Sequence, residues 1–148
     1  MSKQRVLFLC THNSARSQMA EGFLRALAGD RFEVASAGTE MTRVHPLASR
    51  VMAEVGIDLS GHFSKIVDQL LGQPWDYVIT VCDSAKESCP VFPATTSRIH
   101  WSVLDPSQVT GTEEARLHAF RTVRDEIAER FGSWLSGGGT GAHGETMA

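Results

Sequence analysis

Short apolar runs alternate along the chain with longer segments in which apolar residues recur at helical spacing. The runs predict four strands, over residues 5–10, 31–38, 76–82 and 98–104. The segments between and after them predict helices over residues 17–29, 45–56, 64–72 and 112–135. The first strand is apolar at nearly every position, which is typical of a strand buried on both faces. The pattern therefore predicts alternating strands and helices.

Three of the predicted helices have an apolar face that can pack against a core. These faces are formed, in chain order, by Met19, Phe23 and Leu27, by Leu47, Val51 and Val55, and by Leu117, Phe120, Val123, Ile127, Phe131 and Trp134. Arginine and glutamate fill the opposite face of the last helix, so we expect it to be amphipathic and to close the fold. Trp101 and Trp134 are predicted to anchor the core.

The alternation favours an α/β fold, with a single doubly wound sheet of about four parallel strands and helices on both faces. In such sheets ligands bind at the carboxyl ends of the strands. Cys10 and Cys82 each end a predicted strand, and Asp105 follows another. We therefore expect three reactive side chains at one edge of the sheet.

Length and composition indicate one domain over residues 1–135 and a disordered, glycine-rich tail over residues 136–148. The chain has 148 residues and a net charge of −3, and its lysines and arginines are scattered, so we expect no nucleic-acid partner. The first apolar run is too short for a signal peptide or a membrane span. We expect a cytoplasmic monomer that makes no membrane contact.

The three cysteines, Cys10, Cys82 and Cys89, need a role other than a structural disulfide framework. Their number is odd, and a reducing compartment disfavours disulfides. Spacings of 72 and seven residues do not form the paired knuckles of a zinc site. Catalysis or redox chemistry remains open, as does burial as small apolar side chains. We expect no bound metal and no cofactor.

The turn between the first strand and the first helix reads CTHNSARS over residues 10–17 and is typical of an oxyanion site. Successive backbone amides of such a loop can point inward, and the following helix adds partial positive charge. Arg16 supplies a planar fork for two oxygens, and the same field stabilises a thiolate at Cys10. Ser17 can donate its hydroxyl to that thiolate, and Asn13 tolerates left-handed backbone. The candidate loop residues are Thr11, His12, Asn13, Ser14, Ala15 and Ser17. The alternative is that Ser14 and Ser17 only cap the helix and that Cys10 packs behind it.

The segment CTHNSARSQMAEG resembles the active-site loop of the low-molecular-weight tyrosine phosphatase fold, and more narrowly of the thioredoxin-coupled arsenate reductases built on it. The likeness continues, in order, through SAG at 36–38, HPLA, IDLSGHFSK, VITVCDSAKESCP, HWSVLDP and FRTVRDEI, and covers about residues 5–135. This resemblance implies a low-molecular-weight phosphatase-like fold and reduction of arsenate to arsenite, as in arsenic detoxification. It also implies thioredoxin as the electron donor.

The resemblance assigns a role to each reactive side chain. Cys10 attacks arsenate, Cys82 attacks Cys10 to release arsenite, and Cys89 attacks Cys82 to carry the disulfide outward. Asp105 falls at the position of the general acid. Ser107 stands where the phosphatases usually carry a tyrosine that grips an aromatic substrate, which argues against a phosphotyrosine role.

The chain departs from this pattern at two places. His12 and Ala15 stand where relatives often carry glycine and cysteine, and we expect His12 to face solvent. Some relatives bind potassium, and Asn13, Glu21 and Ser36 match that site, but Lys65 replaces its acidic member. An ammonium at Lys65 could occupy the place of that cation and brace the loop, which argues against a bound metal.

Two other functions stay open at this point. A phosphatase acting on phosphotyrosine or small phosphoesters needs only the loop and Asp105. A thiol-based sensor or metalloid-binding module would use Cys82 and Cys89 and would tolerate the loss of Asp105.

Overall fold

A computed structural model describes residues 3–40, 42–81, 92–93 and 95–136. The strands are β1 (Gln4–Cys10), β2 (Phe32–Gly38), β3 (Tyr77–Thr80) and β4 (Ser97–His100). The α-helices are α1 (Arg16–Ala28), α2 (Pro46–Glu54) and α3 (Glu113–Ser136). Short 3-10 helices cover Val67–Leu70 and Pro106–Gln108.

All four strands lie parallel in one sheet with the order β2-β1-β3-β4. Cys10, the last residue of β1, lies opposite Gly38, the last residue of β2, and Leu9 lies opposite Thr80 of β3. The carboxyl ends of the three strands therefore meet at one edge of the sheet. Four parallel strands in one sheet with helices is the predicted fold class, which is confirmed.

The core forms where α3 packs its predicted apolar face toward the sheet, and all six residues of that face are buried. Phe131 of α3 meets the ring of Phe8 of β1 edge to face at a centroid distance of 5.6 Å, and that of Trp101 at 5.1 Å. Trp134 stacks on Phe32 at 5.5 Å. The prediction that both tryptophans anchor the core is confirmed.

Two residues of the predicted apolar faces are exposed instead of buried. Leu27 is 56% exposed because residues spaced four apart drift around a helix of 3.6 residues per turn, and Leu24 and Ala28 take the inward positions. Val55 is 46% exposed because α2 ends at Glu54 and Val55 is its C-cap. For these two residues the prediction was wrong.

The helix predicted over residues 64–72 is also wrong, since only the 3-10 helix at Val67–Leu70 forms. The residues before it are held extended by tertiary hydrogen bonds. Gly38 N donates to Lys65 O at 2.8 Å, Lys65 N donates to the Asn13 side chain at 2.8 Å, and Ile66 bridges Gly38 in parallel. These bonds use backbone groups that a helix would need.

The boundaries of the other elements differ from the prediction mainly at their ends. The strand predicted over residues 98–104 pairs only through His100, and the chain then leaves the sheet. Helix α3 includes Ser136, the first residue of the expected tail, and the rest of that tail lies outside the described residues. In the described part of the chain, no helix combines the length and apolar character needed to cross a bilayer.

Candidate active site

The loop between β1 and α1 turns its carbonyl groups away from its centre. The carbonyls of residues 11–14 accept, in order, from Glu40 N at 2.9 Å, Thr42 Oγ1 at 2.8 Å, Gln18 Nε2 at 3.1 Å and His45 N at 2.9 Å. In a trans peptide the N–H points opposite to the preceding C=O. The amides that follow these carbonyls therefore face the opposite side, where they form a concave set of donors suited to an anion.

Asn13 gives the loop its curvature. Its φ is +51°, so it occupies the left-handed region, as the sequence predicted. The side chain is fully buried, and its Oδ1 accepts from Lys65 N at 2.8 Å while its Nδ2 donates to Ser17 Oγ at 2.8 Å. The buried amide therefore joins the middle of the loop to the start of α1.

The N-terminus of α1 has Ala15 as its N-cap, and no side chain caps it. Neither Ser14 nor Ser17 serves as a cap, so the capping alternative for these serines is wrong. The amides of the first helical turn have no partner within the helix, and the helix dipole places partial positive charge beside them. Both features favour a bound anion next to the sulfur of Cys10, which is itself buried.

Arg16 and Asp105 meet above the loop. Arg16 Nη1 donates to Val103 O at 2.9 Å, and Nη2 lies 3.4 Å from Asp105 Oδ2. The side chain of Asp105 also accepts from Ser107 N at 3.0 Å and Ser107 Oγ at 2.7 Å. Burial opposes ionisation of Asp105, but the Ser107 hydrogen bonds and the Arg16 charge prevail and lower its pKa. Asp105 is therefore ionised at neutral pH while it pairs with Arg16.

A cavity of about 20 Å³ lies between the loop and this ion pair, lined by Cys10, His12, Ser14, Ala15, Arg16, Asp105 and Ser107. It opens beside a larger cleft of about 260 Å³ lined by His12, Ser14, Thr42, Arg43, His45, Pro46 and Ser107. The small cavity has room for about one water-sized group. Among the described residues, neither lining includes Phe, Tyr or Trp, so no such ring is placed to stack on an aryl substrate.

His12 lies at the mouth of the cavity with about half of its side chain exposed, as predicted. Its Nε2 is 3.2 Å from Glu40 Oε1. The carboxylate of Glu40 is also exposed and brings negative charge near the mouth. Attraction of an anion therefore depends mainly on Arg16 and the loop amides.

Lys65 lies beside the buried carboxylate of Glu21. Its Nζ is 3.9 Å from Glu21 Oε1, which also accepts from Ser36 Oγ at 2.5 Å, and Arg25 Nη2 donates to Oε2 at 2.6 Å. Burial lowers the pKa of the Lys65 ammonium, and the Glu21 carboxylate partly offsets this effect. The ammonium thus lies among the residues that the resemblance relates to a cation site. Within the described ranges, no cluster of three or more His, Cys, Asp and Glu side chains is suited to a metal ion.

The structure brings together Cys10, the loop residues 11–17 and Asp105, whereas Cys82 and Cys89 lie outside the described residues.

Two side chains that support the site were not predicted from the sequence. Ser64 Oγ donates to His12 O at 3.1 Å, and His45 Nδ1 caps α2 by accepting from Leu47 N at 3.1 Å. A residue before proline at a helix start could have signalled the His45 cap, whereas Ser64 gave no local signal.

The chain matches the family described as low molecular weight phosphotyrosine protein phosphatase over residues 5–141. A relative named arsenate reductase from Halalkalibacterium halodurans is 44% identical over 138 residues, covering 93% of this chain and 99% of the relative. A solved structure of an arsenate reductase in the oxidised state superposes with a TM-score of 0.78 at 35% identity, covering 90% of this chain and 98% of that one.

A third similar protein is a thioredoxin-dependent arsenate reductase from Corynebacterium glutamicum. Its structure has a TM-score of 0.68 at 28% identity, and the match covers 91% of this chain and 63% of that chain. The family match spans nearly the whole described chain. The chain therefore belongs to the low molecular weight phosphotyrosine protein phosphatase family.

Proposed function

We propose that this protein reduces arsenate to arsenite, with Cys10 as the nucleophile and Cys82 and Cys89 as the members of a thiol–disulfide relay that thioredoxin regenerates. The coarser assignment to arsenate reduction is supported by relatives named arsenate reductase at 42–46% identity. A thioredoxin-dependent arsenate reductase among the structural neighbours supports the finer one. A relay of thiols needs a reducing compartment, so the proposal places the reaction in the cytoplasm.

The observation that carries the proposal is the loop beside buried Cys10, in which the carbonyls of residues 11–14 accept hydrogen bonds from outside the loop. Inward amides, the start of α1 and the guanidinium of Arg16 together bind a tetrahedral dianion. Arsenate and phosphate share that shape and charge. Among the described residues, no Phe, Tyr or Trp lines this cavity or the adjoining cleft, which favours an inorganic oxyanion over an aryl ester.

In the first step the Cys10 thiolate attacks arsenic, and an As–S bond forms as an As–O bond breaks. The departing oxygen leaves as water after it takes a proton, and Asp105 is placed to supply that proton. In the structure this carboxylate pairs with Arg16. When the oxyanion takes Arg16, the carboxylate loses its cation and faces an anion, so its affinity for a proton rises.

In the second step the Cys82 thiolate attacks the sulfur of Cys10. The S–S bond forms as the S–As bond breaks, and its electron pair leaves with arsenic, which is thereby reduced from As(V) to As(III). Cys89 then attacks Cys82 and releases the Cys10 thiolate, leaving a Cys82–Cys89 disulfide. Thioredoxin, with a potential of about −270 mV, reduces that disulfide with its own dithiol.

The test is arsenate-dependent NADPH consumption in the presence of thioredoxin and thioredoxin reductase. The wild type and the variants Cys10→Ser, Cys82→Ser and Cys89→Ser are compared. The proposal expects turnover in the wild type and its loss in each variant. Full activity of Cys82→Ser and Cys89→Ser would overturn the relay.

The NADPH assay, together with hydrolysis of p-nitrophenyl phosphate, separates the other two functions. A phosphatase would hydrolyse p-nitrophenyl phosphate briskly through Cys10 and consume no NADPH with arsenate. A thiol sensor would neither consume NADPH with arsenate nor hydrolyse p-nitrophenyl phosphate. Its function would rest on Cys82 and Cys89 and would survive Asp105→Asn. Either result would overturn the assignment to arsenate reduction.

A further inference from the structure

Gln18 lies in the first turn of α1, and its side chain is fully buried although it is polar. Its Nε2 has three acceptors within reach, the carbonyl oxygens of Asn13 at 3.1 Å and Phe63 at 3.0 Å and Asn13 Oδ1 at 3.0 Å, so one of its two hydrogens is shared by two of them. A backbone carbonyl can only accept a hydrogen bond. The Gln18 amide is therefore fixed with Nε2 toward the loop and Oε1 toward the opposite side.

On that opposite side, Gln18 Oε1 lies 2.9 Å from Nδ1 of His62. The other ring nitrogen of His62 lies 3.2 Å from Arg25 Nη1, and a guanidinium only donates. His62 must therefore accept at Nε2 and donate at Nδ1, which makes it the neutral Nδ1–H tautomer. Burial lowers the pKa of His62, in agreement with a neutral ring.

The loop end of the same network is equally fixed. Asn13 Oδ1 accepts from the backbone N–H of Lys65 at 2.8 Å, so Nδ2 must be the atom that donates to Ser17 Oγ at 2.8 Å. Ser17 accepts this bond, and its own hydroxyl hydrogen remains to be donated. Ser17 is fully buried, so that hydrogen needs an acceptor inside the protein.

We propose that Gln18 is a positioning residue for the nucleophile, because it joins surface and loop groups into one hydrogen-bond chain that runs in a single direction. The chain of donors runs from Arg25 through His62, Gln18 and Asn13 to Ser17. Its last hydrogen is donated to the thiolate of Cys10. The inference rests on the proposed function, in which Cys10 is the nucleophile.

The direction of the chain has a chemical consequence. Hydrogen bonds in series polarise one another, so each donor upstream strengthens the last one. A donor at the thiolate stabilises the charged form and keeps Cys10 reactive at lower pH. Loss of Gln18 would remove one of the two donors to Asn13 Oδ1, leaving Lys65 N to hold the amide in place, and would so weaken the polarisation that reaches the Ser17 hydroxyl.

The experiment measures the rate at which iodoacetamide alkylates Cys10 across a range of pH, in a Cys82→Ser, Cys89→Ser background. Gln18→Met keeps the length of the side chain and removes both polar groups. We expect the midpoint of its pH–rate profile to move up by about one pH unit, a tenfold loss of thiolate at low pH. Because the readout uses no arsenate, it can fail or succeed independently of the proposed function.

A double-mutant cycle with Ser17→Ala tests whether Gln18 acts through Ser17. The combined variant should shift the midpoint no further than Ser17→Ala alone, because both changes remove the same donor. Thr96→Val is the matched control, since it deletes a buried side-chain hydrogen bond of 2.7 Å to Trp75 O far from the loop. The control should leave the midpoint unchanged.

His62→Leu provides a second measurement if Gln18→Met does not fold, because His62 lies nearer the surface and Gln18 keeps its own donors. It should move the midpoint in the same direction by a smaller amount. Circular dichroism verifies that each variant is folded. An unchanged midpoint in the folded variants, or shifts that add fully with Ser17→Ala, would overturn the proposal.

Discussion

Asp105 and Arg16 form an ion pair at the site, with 3.4 Å between Oδ2 and Nη2. The carboxylate therefore competes with an oxyanion for the guanidinium. Burial works against the charge of Asp105, but Ser107 and Arg16 together lower its pKa. Under the proposed function, an oxyanion bound to Arg16 would cancel the effect of that charge on Asp105, so the same carboxylate would pair with Arg16 before the reaction and donate a proton during it.

Asp105→Asn should separate these two roles. We expect kcat for arsenate to fall about a hundredfold or more, which is the usual contribution of a general acid. The inhibition constant for phosphate, a competing oxyanion, should stay the same or decrease because the competing charge is gone. Steady-state kinetics with phosphate as inhibitor measure both quantities. Phosphate binding that weakens as much as kcat falls would contradict the account.

At the scale of elements, the end of β2 shapes the loop as closely as the loop's own residues do. A Cβ on Gly38 would lie 2.6 Å from Thr11 O, 2.8 Å from Asn13 N and 2.8 Å from Cys10 O. All three are backbone atoms, which cannot move aside cheaply. The loop can therefore close over the sheet edge only because residue 38 has no side chain.

Gly38→Ala should accordingly displace the loop. We expect destabilisation of roughly 1–3 kcal/mol, the usual cost of overpacking. We also expect phosphate to stabilise the wild type against heat and not to stabilise the variant. Gly61→Ala is the matched control, because a Cβ there meets nothing within 4 Å. Thermal unfolding with and without phosphate measures both effects. Equal responses of the two variants would show that Gly38 does not shape the loop.

The elements that the sequence predicted well are those whose residues repeat with a clear period. Helix α3 and strand β1 bury the residues that their patterns indicated. The helix expected over residues 64–72 does not form, because hydrogen bonds of Ser64 and Lys65 to a loop 52 residues away override the local preference of that segment. The role of Gln18 could not be predicted for the same reason, since its partner Phe63 is 45 residues distant along the chain.

Across the whole molecule, Glu54 joins α2 to α3 through two arginines. Arg121 donates to its carboxylate at 2.7–3.2 Å and Arg124 at 2.8 Å. Hydrogen bonds from Arg121 lower the pKa of Glu54 most. Burial has a smaller opposing effect, and with the further contribution of Arg124 the pKa falls to about 2. This exposed group therefore stabilises the folded state above pH 4.5 and loses that effect as the pH falls toward 2.

Glu54→Gln should remove this part of the acid sensitivity. The difference in free energy of unfolding between wild type and variant should be largest above pH 4.5 and should shrink steadily below it. Urea titrations at several pH values measure the difference. Glu129→Gln removes an exposed carboxylate from α3 as a control for net charge. A wild-type advantage that is the same at every pH would rule out this linkage.

The relay is tested most directly by a single turnover of fully reduced protein with arsenate and no thioredoxin. Arsenite is quantified and the disulfides are mapped by mass spectrometry. We predict one arsenite per protein and a Cys82–Cys89 disulfide in the wild type, and a Cys10–Cys82 disulfide in Cys89→Ser. Arsenite formed without either disulfide, or no arsenite from a protein that still hydrolyses phosphoesters, would contradict it.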